Sequence, residues 1–374
     1  MGQRLPSLDG LRAVSIAMVI AGHVAARLAP DPWPGWALSV GKLGVLMFFV
    51  ISGFLITTLL VNEQDKGRSS LGNFYARRML RLVPAQALYI AALVVLTQTT
   101  TYSLSPCQLA TAIAYAKNYG CAGVLDSHLW SLSVEEQFYL MWPPILALAP
   151  RRWAVGAAVA MLAMGPLSRA MEYGHGARNL TWLSSNADVL MLGCLAALTM
   201  RRPGAGAWLR FQPAAMRTLA VILMAAPEIL RANLALGWLT VTLGASVQAL
   251  AAAYLVCSLI SERKGAAFTV LNLPAVSFVG RMSYGLYLWQ QLFLFGAGAV
   301  GGSLVFAFPW NIGCAFAVAL ASYLLVERPL TALRASLRPA GLTGDIAVAA
   351  ARPAWRRTAR RPAAGSLEAA PRAR

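Results

Sequence analysis

Long apolar runs separated by short basic segments dominate this sequence and set its architecture. Windows of about 19 residues find ten candidate spans, near 8–28, 38–61, 82–100, 133–149, 152–170, 184–200, 214–231, 237–260, 276–298 and 304–326. The runs are apolar throughout rather than alternating. Lipid offers the backbone no hydrogen-bond partners, so such runs must be helices rather than barrel strands. Composition agrees: 58% of the 374 residues are hydrophobic and 12% charged, against about 25% charged in soluble domains. The expected fold is an all-α integral membrane bundle of about ten transmembrane helices. The seventh span is the weakest, being interrupted by Pro227, Glu228 and Arg231.

The net charge of +18 would suggest nucleic acid in a soluble protein. Here the basic residues sit between apolar runs, where they set topology, so nucleic acid is excluded as a partner and the bilayer is the expected one. With the N-terminus inside, only Arg27, Lys42, Lys117, Arg169, Arg178 and Arg231 of the 32 Lys and Arg fall outside. Both termini are therefore expected in the cytoplasm, which requires an even number of spans. The first apolar stretch contains Asp9, Arg12 and His23, unlike the uncharged core of a cleaved signal peptide. Residues 1–330 read as one transmembrane domain with no room for a second. Residues 331–374 form a basic Ala/Arg/Pro-rich tail with no apolar period, expected to be disordered and to touch anionic headgroups. Cys107 and Cys121 fall in the exported loop between spans three and four, an oxidising setting that makes them a candidate disulfide, free thiols being the alternative. No metal is expected, because there is no Cys-x-x-Cys and only three His.

An ionisable residue within a span is costly and by default a functional candidate. Helix one carries Asp9, Arg12 and His23; span four opens with His128 and carries Glu135 and Glu136; Asp188 lies in span six; Glu327 ends span ten. Arg12 and His23 are eleven residues apart, close to three turns and ~16 Å along a helix, so they share a face. Span four enters from outside, which predicts Glu135 or Glu136 at the depth of His23. A carboxylate there would orient the imidazole as a general base on a hydroxyl; an interhelical hydrogen bond is the alternative role for His23. Arg77, Arg78 and Arg81 form a basic cytoplasmic cluster with Arg77 and Arg81 four apart. Arginine forks suit phosphates, though basic anchoring alone also explains them.

These blocks resemble a known family. Ser7-Leu8-Asp9-Gly10-Leu11-Arg12-Ala13 with His23 is similar to the opening of the acyltransferase-3 family of bacterial membrane O-acyltransferases. Phe48 to Ile56, Phe74-Tyr75-Ala76-Arg77-Arg78 through Pro84, His128 to Tyr139, Ser283 to Trp289 and Val326-Glu327-Arg328-Pro329 follow in the same order. The resemblance implies ten spans, a bacterial inner-membrane location, acyl-CoA as co-substrate with no bound cofactor, and a carbohydrate hydroxyl as acceptor. It implies that Arg12 and His23 are essential, with His23 catalytic, and that Arg77, Arg78 and Arg81 bind the donor. Many members carry a hydrolase-like domain after the membrane part, and none is expected within residues 331–374. Two positions depart from the pattern. Gln290-Gln291 follows Trp289 where many members have His, so a proton-transfer role there is absent. Asn186 stands where an Arg often precedes the Asp, leaving Asp188 without a charged partner.

The expected reaction moves an acyl group, acetyl by family likeness, from acyl-CoA docked at Arg12, Arg77, Arg78 and Arg81 to a hydroxyl deprotonated by His23. Direct transfer and an acyl-His23 intermediate are both compatible with the residues. Trp130, Ser131, Tyr139, Tyr284, Tyr287 and Trp289 are candidates for acceptor contact or for structure alone, as are Asp9, Asp188 and Glu327. Arg12 paired with Glu327 is the structural alternative for that arginine. A flippase for a lipid-linked or acylated sugar is the rival function, since transporters also bury charge.

Overall fold

The computed structural model describes residues 7–28, 35–65, 67, 70–176, 180–230 and 236–330. The tail at 331–374 and the basic positions Arg4, Lys66, Arg68, Arg178 and Arg231 lie outside the described residues. Among the described residues the protein is all-helical: α1 (Leu8–Leu28), α2 (Gly35–Asp65), α3 (Leu71–Thr99), α4 (Pro106–Ile113), α5 (Leu129–Leu148), α6 (Arg151–Gly174), α7 (Leu183–Met200), α8 (Ala205–Arg210), α9 (Ala214–Leu230), α10 (Gly237–Ser261), α11 (Ala266–Leu271), α12 (Pro274–Phe295), α13 (Ala297–Val300) and α14 (Trp310–Ser322), the last continuing through a π turn to Glu327. Seven of these helices are long and apolar enough to cross a membrane. α5, α9 and α12 occupy the other three predicted intervals. α9 is interrupted by Pro227, as its sequence suggested.

α1 packs between α2 and α12, and α2 packs in turn on α7. The α2–α7 contact is backbone to backbone. A Cβ on Gly53 would collide with the Leu190 carbonyl, and one on Gly193 with the Val50 carbonyl, so two glycines set the separation. α1 and α12 run parallel: Gly280 abuts the Asp9 backbone, Arg12 bonds Ser283 and His23 bonds Gln290, both series ascending.

Three helix starts differ from expectation, α14 beginning at Trp310 rather than near 304. α3 begins at Leu71 rather than near 82, capped by Ser70, whose hydroxyl accepts from Asn73 N at 3.3 Å. Arg77, Arg78 and Arg81 therefore lie inside α3, so their spacing is that of helical faces. α5 begins at Leu129 rather than near 133, which carries Glu135 and Glu136 a turn further into the bundle.

The segment between α3 and α5 folds back between those helices. Its α4 starts with a capping box, Ser105 and Gln108 bonding reciprocally, with Pro106 at the first helical position. Gln86 of α3 donates to Ala112 O at 2.9 Å, Tyr89 OH to Leu125 O at 2.5 Å, and Gln137 of α5 to Tyr115 O at 2.8 Å. Cys107 and Cys121 are joined in a disulfide. Lys117, expected in an outside loop, is buried inside this segment. Its ammonium reaches Asp126 at 2.6 Å, Gln108 O at 2.7 Å and Cys121 O at 3.1 Å. Burial, and then the Glu136 carboxylate, push the Tyr115 phenol up from its ordinary value.

Candidate active site

α1 presents Arg12 and His23 to α12, and a separate polar cluster forms around each. At the Arg12 end, the guanidinium donates to Ser283 Oγ at 2.9 Å and lies within electrostatic reach of Arg81, Asp9 and Glu135. Glu327, at the end of the π turn that follows α14, is within reach of Arg81 and Arg12. Arg78 grips Glu136 through Nε at 3.0 Å and Nη2 at 2.8 Å, and its carbon stacks 3.2 Å over the Tyr139 ring. Tyr139 in turn hydrogen-bonds Ser52, and Glu135 sits beside the same Ser52. Arg77 points elsewhere and pairs with Glu63 of α2 at 2.6 Å. Expected with Arg77 and Arg81 on one face, the interior cluster instead takes Arg78 and Arg81, the i and i+3 pair.

At the His23 end lies a cavity of about 700 Å³ lined by His23, His128, Trp130, Tyr119, Trp182, Lys42, Arg169 and Glu228, among others. That volume is within the range of small-ligand sites. His23 Nδ1 is 2.8 Å from Gln290 Oε1, and Phe295 packs edge-on to its ring at 5.4 Å. His128 lies within electrostatic reach of His23 and stands between the rings of Tyr89 and Tyr287, each at 5.4 Å. Tyr287 OH donates to His128 O at 2.8 Å and meets Ser131 Oγ at 2.5 Å. Glu228 accepts from Ser39 Oγ at 2.6 Å and from Gln248 Nε2 at 3.3 Å, a carboxylate that the sequence offered only as an interruption of a span.

The structure does not bring Glu135 or Glu136 to His23. Because α5 starts early, His128 occupies the depth expected for them. The two carboxylates lie seven and eight residues on, ~10–12 Å deeper along the helix, among the arginines. Asp188 has the charged partner that its flanking sequence lacks. Arg169, counted on the outside at the end of its span, is in α6 and only 1% exposed. It clamps both Asp188 oxygens at 3.0 and 2.8 Å and also donates to Thr242 O, Ser185 O and Ser246 Oγ. A Cβ on Gly165, one turn away, would overlap the Asp188 carboxylate. Trp130 meets Phe49 edge-on at 5.9 Å and Trp289 meets Tyr89 at 5.4 Å; Tyr284 OH donates to Leu82 O at 2.9 Å. Of these, Trp130 and Tyr287 line the cavity, and Tyr284 and Trp289 do not. The sequence marked His128 as opening span four, Gln290 as a departure from the family pattern and Glu228 as an interruption of a span, but assigned none of them to the cavity or to contact with His23; the available signal was polarity within apolar runs.

A model of the acyltransferase-3 family, described as an acyltransferase domain, matches residues 5–328. This chain belongs to that family. The peptidoglycan O-acetyltransferase OatA of Listeria monocytogenes is 35% identical over 159 residues, 38% of this chain and 24% of that protein. O-acetyltransferase OatA of Staphylococcus aureus is 33% identical over 218 residues, 52% of this chain and 34% of that protein. The matched segments thus span about a third or less of these relatives. No solved structure matches the chain.

Proposed function

We propose that this acyltransferase moves an acetyl group from acyl-CoA to a carbohydrate hydroxyl, with donor and acceptor approaching from opposite ends of α1. The observation that carries this reading is the separation of two clusters along one helix face. Arg12, Arg78 and Arg81 gather at one end, suited to the phosphates of CoA; His23 lines a cavity with aromatic walls at the other. The ~16 Å between Arg12 and His23 is of the order that an extended pantetheine arm spans. Relatives named for O-acetyl transfer support the acyl group and a glycan acceptor such as peptidoglycan. In this reading the protein has ten spans, resides in the bacterial inner membrane and keeps both termini in the cytoplasm. The ten helices support that count, and Glu327 within reach of Arg12 supports an even number of crossings between α1 and the end of α14.

His23 takes the acceptor hydroxyl's proton while that oxygen attacks the thioester carbon, and the C–S bond breaks to release CoA. Trp130 and Tyr119 give the sugar apolar faces, and Glu228 accepts from its hydroxyls. Arg78 and Arg81 hold phosphate oxygens; Glu135 and Glu136 hold those arginines rather than the imidazole. The test uses purified protein in nanodiscs with acetyl-CoA and soluble peptidoglycan fragments, following free thiol and acetylated glycan. His23→Ala is expected to lower turnover by about 10²–10⁴, the usual contribution of a general base. Turnover unaffected by that change overturns the reading, and glycolipid movement across the bilayer without acyl loss points to a flippase instead.

A further inference from the structure

Gln290 is 0% exposed and stands on α12 directly against His23. Its side-chain orientation is settled by its second contact. Gln290 Nε2 faces the Tyr287 carbonyl at 3.4 Å, which can only accept. Turning the amide over would set its oxygen against that carbonyl, two acceptors in contact inside an apolar core. Oε1 therefore faces His23, and a lone pair on Oε1 requires a proton on Nδ1. The Phe295 ring, edge-on at an interplanar angle of 81°, restrains the imidazole from turning.

We propose that Gln290 is the positioning residue that locks His23 as the Nδ1–H tautomer, leaving Nε2 as the only nitrogen able to accept a proton. The inference rests on His23 being the base of the proposed transfer for its functional meaning, but not for its geometry. An amide cannot itself relay a proton, so its service is orientation, the part a carboxylate or backbone carbonyl plays behind other catalytic histidines. In the reaction, the hydroxyl proton passes to Nε2 as the C–O bond forms and the C–S bond breaks. The departing CoA thiolate then takes that proton, returning His23 to the tautomer Gln290 holds.

The sequence makes the test unusually clean, because only three histidines exist, His23, His128 and His175. Full-length protein labelled with ¹³C,¹⁵N-histidine in lipid is examined by solid-state NMR, with His23→Asn assigning the His23 resonances. Carbon–nitrogen correlations distinguish Nδ1, bonded to Cγ, from Nε2. The wild type is expected to show His23 protonated at Nδ1 alone. Gln290→Leu is expected to shift His23 toward the Nε2–H form, while Gln290→Glu, which still accepts, retains Nδ1–H. Unchanged His128 and His175 signals report that the variants fold, and the wild-type spectrum stands whether or not they do. Wild-type His23 protonated at Nε2 or at both nitrogens overturns the proposal, as does an unshifted tautomer in folded Gln290→Leu. None of these readouts needs turnover, so their failure is separable from failure of the acyl-transfer reading.

Discussion

Removing Arg169 should be the most damaging single change to the packing of this fold. The guanidinium joins three helices: α6, which carries it, α7 through Asp188 and Ser185, and α10 through Thr242 and Ser246. The Asp188 side chain is 2% exposed, so Arg169→Met leaves a carboxylate buried without its cation. Breaking a buried pair from one side costs ~3–5 kcal/mol. At ~2–4 °C per kcal/mol for chains of domain size, the melting temperature should fall by about 6–20 °C. The chain supplies its own reporter. Cys194 and Cys257 are free and buried, and a thiol-reactive dye labels them only as the bundle opens; Cys314→Ser removes the half-buried third thiol. Asp188→Leu should cost a comparable amount. The double variant should cost less than the two singles added, because two apolar side chains leave no orphaned charge. Single variants melting within about 2 °C of wild type, less than 1 kcal/mol on this scale, would refute the assignment of this pair as a structural clasp.

The disulfide and Lys117 together close the segment between α3 and α5. Cys107→Ser with Cys121→Ser frees a loop of sequence separation 14 and should cost ~3 kcal/mol, read as a lower melt and as faster proteolysis within 101–128. Arg78→Lys loses the two-pronged grip on Glu136 and the stacking on Tyr139; with charge-assisted bonds worth ~1.5–3 kcal/mol, KM for acetyl-CoA should rise by about tenfold to a hundredfold, with a smaller effect on kcat. A fluorescent protein fused after Arg374 should mature in the cytoplasm, and a periplasm-only phosphatase inserted at Gly120 should be active; the reverse pattern would exclude the proposed orientation.

The helical bundle was legible in the sequence because each span carries its own signal. Twenty apolar residues must bury their backbone polarity in a helix whatever surrounds them, and the ten intervals all contain helices. The shared face of Arg12 and His23 was legible for the same reason, since helical period depends on spacing alone. Helix starts were less so. Leu71 and Leu129 begin their helices before the apolar runs do, because first-turn N–H groups find acceptors in Ser70 Oγ for α3 and in the Asp126 and Ser127 carbonyls for α5, neither of which is a hydropathy signal.

Residue partners were the illegible part. Asp188 looks unpaired from its neighbours in sequence, yet Arg169 reaches it from another helix; Glu136 looks like company for His23, yet it belongs to Arg78. Glu135 lies about two turns beyond His128 along α5, and it is His128 that comes within electrostatic reach of the imidazole. By itself the sequence determined the membrane-spanning class, through composition, the family, through its ordered motifs, and the shared helix face of Arg12 and His23, through spacing. Only the packing of α12 against α1 decided that Gln290, an apparent loss at its position, is the group that faces His23, because a hydrogen bond between residues 267 apart is fixed by the docking of two helices and by nothing written in either.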